Sequence, residues 1–283
     1  MASQAVFELF ESFRLELPES SQPGPSAQPP SNSLDGFFYI PNFISDEEER
    51  YLMDKVATAP LPKWKTLQNR SGRELGRLQY WGGQVQRETL IPEPLPSFLT
   101  TYPPLIQRIK ETTPAFASSK HGEPNHCLVN EYLPGQGIMP HEDGRAYFPC
   151  VATISLGSHT LLDMYRWAQN DVPPEGDRGA RAREAEPVFS ILQERRSLLV
   201  TTGAAYHDYL HGIAERHTDA PEHLAKVVNV GRLADKRIER VIHRAAEGNA
   251  HESLARQTRL SLTFRDVERV SKGLGALLSK TKR

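Results

Sequence analysis

From Cys127 to Phe264 the chain returns again and again to one unit: four to seven residues rich in Val, Ile, Leu, Thr and aromatics, then a break at Gly, Pro or a charged cluster. Segments 128–132, 151–156, 160–164, 188–192, 197–201 and 259–264 have this form. Strands this short, without regular helical periods between them, speak against a doubly wound parallel sheet and predict a β-sandwich or jelly roll. The expected fold is mainly β with flanking helices. With 283 residues and 38% hydrophobic content, one good-sized core with long polar segments is the simplest organisation.

The remaining segments divide the chain further. Val6, Phe7, Leu9, Phe10 and Phe13 recur at helical spacing, so residues 1–17 read as a short amphipathic segment that packs on the domain. Residues 18–35 are crowded with Pro, Ser, Gln and Asn and read as a disordered linker. An N-terminal extension, 36–126, opens with a strand at 36–40, and Ser45-Asp46-Glu47-Glu48 is a capping box that starts a helix through Tyr51, Leu52 and Val56. The core, 127–270, is interrupted twice. Residues 167–186 mix charge with Pro and Gly and read as a mobile loop, and about 218–256 is a helical insertion carrying Ile238, Val241, Ile242 and Ala245 at helical spacing. A basic tail, 271–283, closes the chain.

The chemistry concentrates in a few positions. After the turn Pro134-Gly135-Gln136-Gly137, His141 and Asp143 stand two apart, and His211 follows in the apolar setting Leu210-His211-Gly212-Ile213. Two imidazoles and one carboxylate suit a mononuclear iron(II) centre with three open coordination positions. His207 lies near enough to His211 to compete for the role, and the apolar neighbours favour His211. Strand parity puts Asn130 and Tyr132 on one face. In the last segment Arg259, Ser261, Thr263 and Arg265 share one face and Leu260, Leu262 and Phe264 the other. Taken alone, that segment reads as an amphipathic strand with its arginines in water. Between Lys63 and Trp81, the cations Lys63, Lys65, Arg70, Arg73 and Arg77 interleave with Trp64, Tyr80 and Trp81. That mixture fits either phosphate neutralisation with base stacking or a solvated loop whose tryptophans fill the core.

Asn-x-Tyr, His-x-Asp, a distant His and Arg-x-x-x-x-x-Arg, in that order, resemble the AlkB-type dioxygenases, which use iron(II) and 2-oxoglutarate. The wording of residues 133–144 and 153–160 is most similar to the subfamily called AlkB homologue six. The resemblance extends to 39–45 and to Trp81-Gly82-Gly83. It implies a double-stranded β-helix (jelly-roll) core, with His141, Asp143 and His211 holding Fe(II). It also implies 2-oxoglutarate as co-substrate, dioxygen at the last coordination position, and oxidative demethylation of an alkylated base. Arg259 would take the distal carboxylate of 2-oxoglutarate beside Tyr132, and Asn130 with Arg265 the end near iron. Ser261 stands where many members have Asn, and its hydroxyl still donates a hydrogen bond. The region 63–81 would be a nucleotide-recognition lid, with single-stranded nucleic acid as partner.

Net charge constrains the partner from the other side. At −1 the protein does not bind polyanions through global charge, so nucleic acid needs a local patch. Two cysteines without a Cys-x-x-Cys pairing, and no apolar stretch of membrane-spanning length, point to a reducing compartment, nucleus and cytoplasm, and away from membranes. A monomer is expected. Two other classes remain open: a low-turnover nucleic-acid or protein-binding module on the same fold, and an oxygenase acting on a protein or small molecule.

Overall fold

The computed structural model describes residues 4–16, 34–68, 74–168, 182–249 and 251–271. Its strands are β1 (Phe37–Ile40), β2 (Lys65–Gln68), β3 (Glu74–Trp81), β4 (Gly83–Gln86), β5 (Thr89–Pro92), β6 (His126–Tyr132), β7 (Ile138–His141), β8 (Tyr147–Leu156), β9 (Thr160–Tyr165), β10 (Phe189–Gln193), β11 (Leu198–Thr202), β12 (Leu210–Ile213), β13 (Thr218–Asp219), β14 (Leu254–Ala255) and β15 (Arg259–Val267). Its helices are α1 (Gln4–Glu11), α2 (Asp46–Ala57), α3 (Ser97–Thr100), α4 (Leu105–Thr112), α5 (Ala204–Asp208), α6 (Pro221–Leu224) and α7 (Lys236–Ala246). None of the described helices is long and apolar enough to cross a membrane.

Two sheets form the jelly roll. The larger has seven strands in the order β1-β11-β8-β15-β6-β3-β2, and the smaller has four, β10-β9-β12-β7. The large sheet runs across the boundary expected at residue 126: β1 pairs with β11, and β3 pairs with β6. Residues 65–68 and 74–81 are correspondingly strands added to this sheet, because β2 and β3 pair antiparallel next to β6.

Alternation along the large sheet separates packing from chemistry. Leu260, Leu262 and Phe264 of β15, with Cys127 and Val129 of β6 and Ala152 and Ile154 of β8, face a core closed by Leu52 and Val56 of α2, Leu99 of α3 and Ile109 of α4. Each such fully buried aliphatic side chain contributes about 1.5–3 kcal/mol. The opposite parity, including Arg259, Ser261, Thr263 and Arg265, lines a cavity between the sheets. Every residue of β15 is buried, so its arginines do not stand in water. A sheet covered on both faces overrides the amphipathic reading of the isolated segment.

The flanking helices follow their local signals. Ser45 caps α2, its Oγ accepting from the Glu48 amide at 3.1 Å while the Glu48 carboxylate accepts from the Ser45 amide at 2.9 Å. Glu48 also receives Arg108 from α4, which ties the two helices together. On α1, Phe10 stacks on Phe38 with centroids 4.0 Å apart, whereas Phe7 and Leu9 are exposed. The insertion packs Val241, Ile242 and Ala245 of α7 and Leu224 of α6 against Phe37, Tyr39, Leu161 and Ile191 in a second apolar cluster. Most of the expected linker, loop 167–186 and tail lies outside the described residues. Cys127 and Cys150 are free thiols, buried and pushed up in pKa by that burial.

Candidate active site

Strand pairing brings the two histidines together. β7 ends at His141, whose Cα partner on β12 is His211, and the two rings lie 4.4 Å apart between centroids. The close approach of the two strands depends on glycine: a Cβ on Gly212 would sit 3.0 Å from the Pro140 nitrogen, and one on Gly137 would sit 2.2 Å from the Ile213 carbonyl oxygen. Asp143 lies two residues past the end of β7, so shared strand parity is not what aims it. Arg265, reaching across from β15, pairs with its carboxylate. One donor atom from each of His141, Asp143 and His211 lies within 4.8 Å of the others. His207 is exposed on α5 and outside this group.

The protonation states suit a divalent cation. His141 Nδ1 is 2.8 Å from the Met139 carbonyl oxygen. A carbonyl only accepts, so Nδ1 carries the hydrogen and Nε2 is the ring nitrogen left to face a metal. Burial pulls His211 down to about 4, against the attraction of Asp143, leaving the ring neutral near pH 7. Burial works to raise Asp143, but the Arg265 charge and the two imidazoles hold it below the usual carboxylate range. Two imidazoles and an ionised carboxylate form a donor set that fits iron(II). Glu142, between them, turns away and accepts from Trp167 Nε1 at 2.8 Å.

At the other end of the cavity, of about 250 Å³, Arg259 is buried without an acidic partner among the described residues. Its Nε and Nη2 donate to Ser155 Oγ at 3.1 and 2.9 Å, and Nη2 also donates to Gln193 Oε1 at 2.8 Å. Nη1 has no hydrogen-bond partner among the described residues. Burial brings the guanidinium down to about 10, with the Tyr132 ring 5.8 Å away, and the group stays cationic at neutral pH. A buried cation held only by neutral groups fits a ligand carboxylate. Asn130, Tyr132 and Ser261 line the same cavity.

Sequence reasoning missed Ser155 and Gln193. Ser155 is the cross-strand partner of Ser261, visible only once the register of β8 and β15 is known. Gln193 comes from the opposing sheet, and no local signal marks it.

The lid residues are placed differently from one another. Arg77 does not offer a free fork: Glu131, its Cα partner on β6, takes it through two hydrogen bonds of 2.8 Å, and Trp64 lies 4.3 Å beneath the guanidinium. Trp81 is not a free stacking face either. It pairs in register with core-facing Cys127, packs edge-on to Phe98 at 5.3 Å, and donates its Nε1 to Gln79. Tyr80, of opposite parity, has Lys65 Nζ 5.0 Å from its ring. Lys63 is paired with Glu93 at 2.9 Å. Arg70 and Arg73 lie outside the described residues.

A family model described as the 2OG-Fe(II) oxygenase superfamily matches residues 36–265. Over 237 residues the chain is 40% identical to the probable RNA/DNA demethylase ALKBH6 of Danio rerio, covering 82% of this chain and 86% of that protein. It is 26% identical over 236 residues to the tRNA (carboxymethyluridine(34)-5-O)-methyltransferase alkbh8 of Xenopus tropicalis, of which the match spans 32%. Among solved structures, OsALKBH1 aligns with a TM-score of 0.44 at 17% identity, covering 82% of this chain and 98% of that one.

Proposed function

The chain belongs to the 2OG-Fe(II) oxygenase superfamily as an AlkB-type, 2-oxoglutarate-dependent dioxygenase, and from that premise we propose that its reaction is the oxidative demethylation of an alkylated nucleic-acid base. His141, Asp143 and His211 would hold Fe(II), with Asp143 ionised and His211 neutral as ligands require. Arg259 would anchor the distal carboxylate of 2-oxoglutarate, with Tyr132 and Ser261 beside it. Asn130 and Arg265 would serve the end near the metal. The observation that carries this reading is Arg259 itself, a buried cation without an acidic partner among the described residues, at one end of a cavity that the triad also lines.

Bound iron would supply dioxygen activation, with 2-oxoglutarate passing to succinate and carbon dioxide as one oxygen atom enters a substrate C–H bond. On an N-methyl group the product is N–CH2OH, which loses formaldehyde and leaves N–H. The chain's own part is to hold the metal and co-substrate, keep water out with the apolar cavity wall of Leu78, Leu128, Val151 and Ile213, and aim the methyl group. A base has to leave its stack to enter such a cavity. Tyr80 and Lys65, at the edge of the sheet beside it, would meet the strand that carries the base. Support for nucleic acid comes from the Danio rerio relative, whose name states RNA/DNA demethylase.

The test is iron-dependent 2-oxoglutarate consumption, without nucleic acid and with methylated single-stranded oligonucleotides, together with metal binding by calorimetry. His141→Ala, Asp143→Ala and His211→Ala each abolish turnover and metal binding, and His207→Ala retains both. Metal retained in His211→Ala and lost in His207→Ala would reassign the third ligand. Consumption stimulated by peptides or small molecules, and not by any oligonucleotide, would move the substrate to another class.

A further inference from the structure

His141 and His211 are aimed by their strands, and Asp143 is not. β12 pairs with β7 on one side and with β9 on the other, so both histidines stand in a ladder. Glu142 and Asp143 lie beyond the end of β7, and among the described residues no backbone hydrogen bond ties either of them. Two side-chain contacts hold this stretch instead: Arg265 pairs with Asp143, and Trp167 Nε1 donates to the Glu142 carboxylate at 2.8 Å. Arg265 acts on the ligand carboxylate itself. Trp167 acts on the residue that joins His141 to Asp143.

Trp167 is in turn fixed to the small sheet. β9 ends at Tyr165, whose Cα partner is Leu210, the neighbour of His211. Past β9 the chain continues as a narrow antiparallel ladder. The Glu184 amide donates to the Arg166 carbonyl and the Ala168 amide to the Ala182 carbonyl, both at 2.9 Å, and Trp167 bridges to Arg183 between them. Adjacent residues of an extended chain point to opposite faces. Arg166 turns towards the cavity side, where it donates to the hydroxyl of cavity-lining Tyr209 at 2.7 Å. Trp167 turns the other way and meets Glu142, which points outward between two residues that line the cavity. An indole carried by the sheet therefore reaches the one ligand-bearing stretch that has no ladder of its own.

We propose that Trp167 is a positioning residue for the metal centre: by holding Glu142 outward it sets the backbone that presents Asp143. The proposal rests on His141, Asp143 and His211 as the metal ligands. Backbone already ordered before the metal arrives does not have to be ordered during binding, so loss of the tether appears as loss of metal affinity. The chemistry needs an N–H on one side and an acceptor oxygen on the other. Phenylalanine at 167 keeps a ring and loses the donor, whereas glutamine at 142 loses the charge and keeps an acceptor.

Calorimetric titration of the full chain with Mn(II) tests this in the parent, Trp167→Phe, Glu142→Ala, Glu142→Gln and the double variant Trp167→Phe/Glu142→Ala. Trp167→Phe and Glu142→Ala each weaken Mn(II) about three- to tenfold, the size of one hydrogen bond. The double variant loses no more than either single one, because both remove the same contact. Glu142→Gln stays within about twofold of the parent, since its amide oxygen still accepts from the indole. Glu142→Ala leaves the Trp167 ladder untouched and so decides the matter even if Trp167→Phe disturbs the fold there. Parental affinity in Glu142→Ala, losses that add in the double variant, or a loss in Glu142→Gln equal to that in Glu142→Ala would overturn the assignment. Parental Mn(II) affinity in His211→Ala would instead overturn the triad reading beneath it.

Discussion

Arg259 shows how one residue can be costly alone and useful in context. Its desolvation is offset only in part by Ser155 and Gln193, both neutral, and a carboxylate arriving at Nη1 would complete the set. Arg259→Ala is expected to weaken 2-oxoglutarate by roughly 2–5 kcal/mol, with a much smaller effect on metal affinity. Arg259→Lys restores part of the loss, since one ammonium cannot reproduce the planar fork. Titrating co-substrate and metal separately by calorimetry checks this, and an unchanged 2-oxoglutarate affinity in Arg259→Ala would pass the anchoring role to Arg265. The hydroxyl of Ser261 on the same wall is short, which leaves Arg259 as the stronger determinant.

At the scale of elements, the helical insertion is clamped back onto the jelly roll by a two-stranded piece. β13 pairs with β14, and Arg256, just after β14, donates to both oxygens of Asp219 on β13, at 2.8 and 2.6 Å, and to the Ala214 carbonyl at 2.9 Å. His159 approaches the same carboxylate at 3.2 Å. Burial works against ionisation of Asp219, yet His159 and Arg256 hold its pKa well below the carboxylate range. Removing Arg256 takes the two shortest partners from the buried Asp219 carboxylate and leaves it the longer contacts of Arg216 at 3.5 Å and His159 at 3.2 Å. Arg256→Ala should therefore destabilise the fold by roughly 3–5 kcal/mol, whereas Arg240→Ala, on the exposed face of α7, stays within about 0.5 kcal/mol. Urea midpoints for the two variants decide it, and similar midpoints would show that the clamp is weak.

For the molecule as a whole, the buried neutral His126 makes stability depend on pH. Burial first, then the charge of Arg265, lowers its pKa from 6.5 to about 4 in the folded state. The unfolded chain takes up that proton as pH falls through 6.5 and the folded chain does not, so the contribution is complete above pH 6.5 and is lost towards pH 4. The difference amounts to about 3 kcal/mol at most. Denaturant melts of the parent and His126→Phe across this window should diverge, the parent losing more stability on acidification. Parallel curves would mean that His126 takes up its proton in the folded state at an ordinary pH.

The sequence by itself determined what depends on short-range pattern. Alternation and turn residues between Cys127 and Phe264 specified short strands of a jelly roll, Ser45 and Glu48 specified the start of α2, and the separation of Leu260, Leu262 and Phe264 from Arg259, Ser261 and Arg265 depends only on the two-residue period of a strand. The order of Asn130, Tyr132, His141, Asp143, His211, Arg259 and Arg265 was likewise legible as a pattern. Which groups meet across strands was not, because register and sheet order are set by long-range packing. Only the tertiary structure placed Arg77 against Glu131, packed Trp81 against the core, brought Ser155 and Gln193 to Arg259, and set His126 opposite Arg265 beside Tyr147. Burial decided the rest: an arginine face that reads as solvent-exposed in one strand becomes a cavity wall when a second sheet covers it, and desolvation then fixes which of its charges need a partner.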